Sequence, residues 1–305
     1  MKKLLWGIDL GGTKIEGIVL DPNHKSAPLS RLRFPTEAHL GYEHILSQIS
    51  RLIQLLSKEV NAKPEAIGIG TPGMLEPIRQ TIKNANTTIL NGKPLKADLE
   101  KKLGVKIYLA NDANCFALAE TLIGAAQQTN PEQEHIVFGV ILGTGVGGGI
   151  VMNKHGAQGC HLIAGEWGHN ELIPNGKKCY CGKEGCVETV ISGPALEQFY
   201  YELSGKKASL KEIYQAFQLT QEPKSKATIM HLIKHFAKAI AMVINILDPH
   251  IVVIGGGVGN ICELYSQECK KEIERYLFFD TLYTKIVPPK LGDSAGVFGA
   301  AFLAL

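Results

Sequence analysis

The chain reads as an α/β protein of two lobes, each a mixed β-sheet flanked by helices, with a ligand cleft expected between them. Three observations predict this. A length of 305 residues suffices for two cores. Short apolar runs alternate with stretches of helical periodicity. The pattern also restarts: Gly7-Ile8-Asp9-Leu10-Gly11-Gly12 … Gly17-Ile18-Val19-Leu20 has an ungapped counterpart in Gly139-Val140-Ile141-Leu142-Gly143-Thr144 … Gly149-Ile150-Val151-Met152. Each copy is an apolar strand, a glycine turn and a second apolar strand, near the start of its half. Duplication explains that placement better than coincidence.

The elements follow in order. Leu4–Leu10 and Ile15–Leu20 form a β-hairpin around Gly11-Gly12, and a third strand covers Ser30–Phe34. Over residues 41–60, Ile45, Ile49, Leu52, Ile53 and Leu56 share one helical face. Ala66–Gly70 is a buried strand ending at Thr71-Pro72-Gly73. Leu95–Leu103 is helical, Lys106–Ala110 a strand, and Ala113–Leu122 a helix entered through Asn111-Asp112. In the second half a helix over 227–247 carries the apolar stripe Leu232, Ile233, Phe236, Ile240, Val243, Ile244 and Leu247, read as core packing. A strand, Ile251–Ile254, runs into Gly255-Gly256-Gly257. A closing apolar helix after Asp293-Ser294-Ala295-Gly296 is expected to return to the first lobe. The lobes are therefore drawn as 1–112 plus 294–305, and 113–293.

A net charge of +3, with no basic arm or cluster, argues against a nucleic-acid surface. The N-terminus runs into Gly7 and Asp9 with no room for a signal peptide, and the glycine-broken apolar stretch at 136–152 is too short to span a bilayer. A cytoplasmic protein without membrane or nucleic-acid partners is expected.

His169, Cys179, Cys181 and Cys186 form the densest constellation. One imidazole and three thiols complete a tetrahedral structural zinc site with no position left for water. Glu166 and Glu188 flank it, and carboxylates recognise hydroxyl-rich ligands. Cys115, Cys160, Cys262 and Cys269 are scattered and read as reduced packing thiols.

Asp9-Leu10-Gly11-Gly12-Thr13-Lys14 places a carboxylate at a strand end before a turn rich in backbone amides, suited to Mg²⁺ and phosphate. Gly143-Thr144-Gly145 opens a second such turn. There Ile141 stands where the first copy has Asp9, so one lobe alone carries the metal carboxylate. No GxxxxGK[ST] occurs, and the one GxGxxG spacing opens a strand, not a helix, which disfavours a dinucleotide fold. Asp112 follows a strand and opens a helix. It reads either as a plain N-cap or as the base that deprotonates an attacking hydroxyl.

Together DLGGTK, NDANCFA, LGTGVGGG, AGEWGH, CYCGKEGCVE and VVIGGG resemble the ROK group (repressors, open reading frames and sugar kinases) across essentially the whole chain. The resemblance implies an actin-like ATPase (ribonuclease H-like) fold and ATP-dependent phosphorylation of a hexose, usually at the 6-hydroxyl, with Mg²⁺ and a structural Zn²⁺. Carried over by position, it makes Asp112 the general base. Asn111, Asp112, Glu166, His169 and Glu188 become sugar contacts, and His169, Cys179, Cys181 and Cys186 zinc ligands. Asp9, Gly11, Gly12, Thr13, Lys14, Gly143, Thr144 and Gly145 surround phosphates and magnesium, and Gly256 and Gly257 the adenosine. With Asp9 eight residues in, no helix-turn-helix of the repressor branch is expected before the first hairpin. Asn84 and Asn86, in KNANTTILNG, are expected on the sugar; alternatively they cap turns. That string resembles the fructokinase/mannokinase branch, so fructose is the expected acceptor, with mannose or glucose beside it. An N-acetylglucosamine kinase and a non-catalytic sugar sensor are the alternatives. The family suggests a homodimer, but no residue pattern shows an interface.

Overall fold

A computed structural model describes residues 3–128, 130 and 133–305, Asp293 without its side chain. The chain divides into two compact units. One comprises 1–128, 149–164 and 291–305, the other 129–148 and 165–290. These divisions differ from the expected breaks after 112 and 293. The helix that follows Asn111 stays with the first unit because the C-terminal helix packs on it.

The first unit opens with β1 (Leu5–Leu10), β2 (Lys14–Leu20) and β3 (Pro28–Pro35), an antiparallel meander. Then come α1 (Tyr42–Val60), β4 (Ala66–Thr71), the small β5 (Met74–Leu75) and β6 (Ile82–Lys83) pair, α2 (Leu95–Leu103), β7 (Lys106–Asn111) and α3 (Asp112–Leu122). The sheet order is β3-β2-β1-β4-β7, with β1, β4 and β7 parallel. Strand β1 is apolar on both faces apart from Asp9, as a strand covered on both sides must be. The predicted face of α1 is buried in one core cluster with Trp6, Ile8, Ile67, Ile69 and Ile107.

Further along are β8 (Ile136–Leu142), β9 (Val146–Met152), β10 (His155–Ala157), α4 (Glu188–Ile191), α5 (Gly193–Ser204), α6 (Leu210–Thr220), α7 (Pro223–Leu247), β11 (Ile251–Gly255), α8 (Gln267–Glu274), β12 (Lys285–Val287) and α9 (Ala295–Phe302). The second sheet runs β10-β9-β8-β11-β12, again a meander followed by two parallel additions. Its order repeats that of the first sheet strand for strand, which supports the duplication read from the two hairpins.

Helix α7 begins four residues before the expected 227, because Pro223 fits the first helical turn and the Glu222 side chain accepts from Ser225 N. It alone among the described residues is long and apolar enough to cross a membrane by length and composition. Its apolar face is buried under α5, α6 and α8 instead, as a core helix.

The expected return of the C-terminal helix is observed. In the first unit α9 lies on β1, β4 and α3 at backbone contact. A Cβ at Gly299 would stand 1.8 Å from the Cys115 carbonyl oxygen, and one at Gly68 1.8 Å from that of Ala300. Only glycine permits so close an approach.

Candidate functional site

The sequence-predicted residues fall into two groups, one in each unit. In the first, β1 delivers Asp9 beside the Gly11-Gly12 turn, where Gly11 N donates to Lys14 O at 2.9 Å and Thr36 Oγ1 donates to Gly11 O. Thr87, from the loop after β6, stands over Gly12, 3.1 Å from where a Cβ would lie. Gly296, in the first turn of α9, faces the Asp9 carboxylate, and a Cβ there would sit 3.3 Å from Oδ2.

Strand β7 and helix α3 present Asn111 and Asp112. The N-cap of α3 is Asn111, whose Oδ1 accepts from Asn114 N at 2.7 Å and from Asn114 Nδ2 at 2.6 Å. Asp112 is thereby relieved of the capping role that the sequence left open for it. Its Oδ1 accepts from Ala113 N at 2.8 Å. Asp112 is exposed to solvent, yet the protein packed around its carboxyl group raises its pKa above the ordinary carboxylate value. Asp9 is pushed up to about 6, first by burial, then by the charges of Asp112 and Glu16. Glu16 is itself paired with Arg31 and Arg33. Lys14 and Arg33 offset the shift only in part, and a buried carboxylate whose charge is disfavoured is one that a divalent cation would hold ionised, so Asp9 fits magnesium.

The Asn-rich loop serves partly its own shape. Asn84 takes a left-handed backbone conformation, φ 57°. Asn86 is exposed and accepts weakly from Thr87 Oγ1 at 3.4 Å. The side chain of Asn91 clamps Ala85, at 2.9 Å to its N–H and 3.1 Å to its carbonyl. The turn-forming role of this string thus falls on Asn91 and Asn84.

In the second unit the four expected ligands converge. One donor atom each of His169, Cys179, Cys181 and Cys186 lies within 4.8 Å of all the others. His169 Nδ1 is 3.6 Å from Cys179 Sγ, and Cys181 Sγ is 3.7 Å from Cys186 Sγ. Ligands at ordinary Zn–S and Zn–N lengths on a tetrahedron are about 3.6–3.8 Å apart. These two separations match, so the donor set fits zinc. His169 turns Nδ1 to the cluster and Nε2 to the Tyr180 hydroxyl, 3.1 Å away, the two rings meeting edge to face. Tyr180 is a residue the sequence reading passed over.

Glu188 opens α4 directly after the cluster. Its Oε2 accepts from Val146 N at 2.9 Å, at the start of β9, where the turn that follows β8 ends. A Cβ at Gly145 would fall 2.6 Å from that oxygen, so glycine there is what admits the carboxylate. This contact ties a predicted sugar carboxylate to the second phosphate turn. No local signal could have revealed it, since the partners are 42 residues apart. Gly143 N closes the same turn on Gly145 O at 2.9 Å, and its own carbonyl accepts from Gly193 N. Gly256 has φ 85°, and a Cβ on it would lie 2.2 Å from Leu142 O, beside that turn. Glu166 precedes the short turn Trp167–His169. Trp167 is buried, donates from Nε1 to Gly147 O at 3.0 Å and meets Phe138 edge-on. It packs under the loop and offers no sugar platform.

Comparison with known proteins bears on the sugar. A sequence profile of the ROK family matches residues 5–305. The N-acetyl-D-glucosamine kinase of Vibrio atlanticus (strain LGP32) is 36% identical over 310 residues, covering 98% of this chain and 99% of that protein. The N-acetyl-D-glucosamine kinase of Histophilus somni (strain 129Pt) is 35% identical over 313 residues, 99% of each. Among solved structures, the ROK hexokinase from Thermus thermophilus superposes with a TM-score of 0.86 at 33% identity, over 98% of this chain and 97% of that one. A ROK family glucokinase from Streptomyces griseus, in complex with glucose and AMPPNP, gives 0.76 at 28% identity, over 98% of each. The fructokinase/mannokinase branch expected from KNANTTILNG finds no support among these relatives: the sequence relatives named are N-acetyl-D-glucosamine kinases. With a profile match over nearly its full length and relatives above one-third identity, the chain belongs to the ROK family.

Proposed function

We propose that this ROK sugar kinase transfers the γ-phosphoryl group of ATP to the 6-hydroxyl of N-acetyl-D-glucosamine. The observation that carries the catalytic half of this reading is Asp112, freed from capping by Asn111 and raised in pKa by the protein packed around its carboxyl group. A general base works best when its pKa approaches the working pH, and a carboxylate lifted from its ordinary value moves that way. Asp112 takes the hydroxyl proton while the sugar oxygen forms its bond to phosphorus and the bond to the ADP oxygen breaks. The N–H groups of the Gly11-Gly12 and Gly143–Gly145 turns, with Thr13, Lys14 and Thr144, hold phosphate oxygens. Asp9 would hold Mg²⁺, which offsets phosphate charge when bound. Gly256 and Gly257 leave room for the adenosine.

Asn111, Glu166, His169 and Glu188 orient the sugar, with Asn84 and Asn86 at its edge. His169, Cys179, Cys181 and Cys186 would hold zinc, which when bound would fix the segment that carries Glu166 and Glu188. The N-acetylated acceptor is supported by the N-acetyl-D-glucosamine kinases at 35–36% identity over nearly the whole chain. ADP release with Mg-ATP against N-acetylglucosamine, N-acetylmannosamine, glucose, mannose and fructose tests it. The highest kcat/KM is expected on N-acetylglucosamine. A higher value on fructose would return the acceptor to the other branch, and no turnover on any sugar would leave a sugar sensor.

A further inference from the structure

A cavity of about 280 Å³ runs along β7 in the first unit, with Asn111 in its wall. Nothing in the proposed reaction uses the rest of it. Besides Asn111, its polar groups come from six segments: Thr71 on β4, Gln80 in the turn between β5 and β6, Lys96 on α2, Tyr108 on β7, Asn114 on α3 and Gln158 after β10. Leucines, Met74 and Ala110 complete the lining. At just under the roughly 300 Å³ where small-molecule pockets begin, the space suits an appendage of a ligand better than a whole one.

The charge of the wall selects the appendage. None of the described lining residues is Asp or Glu, and Lys96 is the single cation among them. Lys96 is half-buried, so part of its hydration is already surrendered. Tyr108 lies among further cations. The hydrogen bond to Lys106 first, then the charges of Lys106, Lys3 and Lys96, hold its phenol below the ordinary pKa. A wall of this kind receives a carboxylate on a short apolar stem, the acid toward Lys96 and the stem on leucine.

We propose that the acceptor site continues past Asn111 into this cavity, and that the enzyme also phosphorylates N-acetylhexosamines bearing a short carboxylate-containing ether on a ring hydroxyl. The proposal rests on the reading of Asn111 as a sugar contact. The chemistry is unchanged: the 6-hydroxyl oxygen bonds to phosphorus, its proton passes to Asp112 and ADP leaves.

The test is ADP release with N-acetylglucosamine, its 3-O-lactyl and 4-O-carboxymethyl ethers, and a neutral 3-O-propyl ether, on the natural enzyme and on Lys96→Ala. One acidic ether is expected within about tenfold of the parent sugar in kcat/KM. Lys96→Ala should leave the parent unchanged, so the variant's fold is checked in the same assay. It should raise KM for that acidic ether about tenfold and leave the neutral ether alone. Acidic ethers more than a thousandfold poorer than the parent would overturn the extended site. Loss on all sugars alike in Lys96→Ala, or no change on the acidic ether, would overturn the anchor. Turnover of N-acetylglucosamine with none of the ethers accepted sinks this inference and spares the kinase reading. Failure of the parent sugar sinks the reading itself, and if another hexose is turned over, its ethers decide the cavity by the same criteria.

Discussion

Asp9 and Asp112 are held in environments that disfavour their charged forms, and each yields a distinct expectation. Asp112→Asn keeps the hydrogen-bonding shape but cannot take a proton. Turnover should fall by at least about a hundredfold, the usual contribution of general base catalysis, while sugar affinity, read by calorimetry, stays within a few-fold. Asp9 ionises near the ordinary 3.8 in the unfolded chain and at about 6 in the fold. A carboxyl raised in this way leaves the fold unpenalised below about pH 4, where both states are protonated. Stability is then lost as pH rises through about 6. In metal-free buffer, Asp9→Asn should therefore be more stable than the natural protein at pH 7.5, by about 2 kcal/mol. The advantage should vanish near pH 4, and the same variant should be inactive with Mg-ATP. Thermal melts across that range check the sign; a variant less stable at pH 7.5 would refute the electrostatic account. The role of Asp112 itself was only half legible. Asn-Asp-Ala-Asn offers two side chains able to cap the helix, and which of them does so depends on a backbone geometry that the letters do not carry.

At the level of elements, the long apolar strands and the amphipathic α1 and α7 were readable because many buried side chains repeat along each. Helices α5, α6 and α8 were not anticipated, and their burial shows why. Leu196 and Tyr200 are the buried hydrophobics of α5, Cys269 and Ile273 those of α8, and Ile213 alone that of α6. One or two anchors set no period. The two-residue strands β5 and β6 are too short for any alternation to register. The cluster of His169, Cys179, Cys181 and Cys186 was legible because its members are near in sequence and chemically unlike their surroundings, whereas the Glu188–Val146 bond was hidden by distance along the chain. The fructose expectation rested on a single loop in which Asn84 and Asn91 serve the backbone, and the sequence relatives lend it no support. The cysteine cluster gives a further test. Cys181→Ser should lose zinc, measured by elemental analysis, and raise KM for the sugar tenfold or more. Loss of zinc with an unchanged KM would separate the metal from sugar recognition.

The whole molecule depends on α9 more than its length suggests. It meets β1, β4 and α3 of the first unit through glycines where no side chain fits. Gly299→Ala should cost about 3 kcal/mol, because its Cβ would meet a backbone carbonyl that cannot swing aside. The melting temperature should fall by roughly 5–10 °C. An unshifted melt would mean that α9 can slide on α3. The order of the chain gives this arrangement a temporal side. The first unit is assembled from 1–128, 149–164 and 291–305, so its sheet is translated first and its covering helix last. At about 5–20 residues per second, roughly ten to thirty seconds of synthesis separate residue 128 from residue 291. Throughout that interval the newborn protein carries an apolar sheet face without its cover. The demand for chaperone protection therefore falls on the half that leaves the ribosome first.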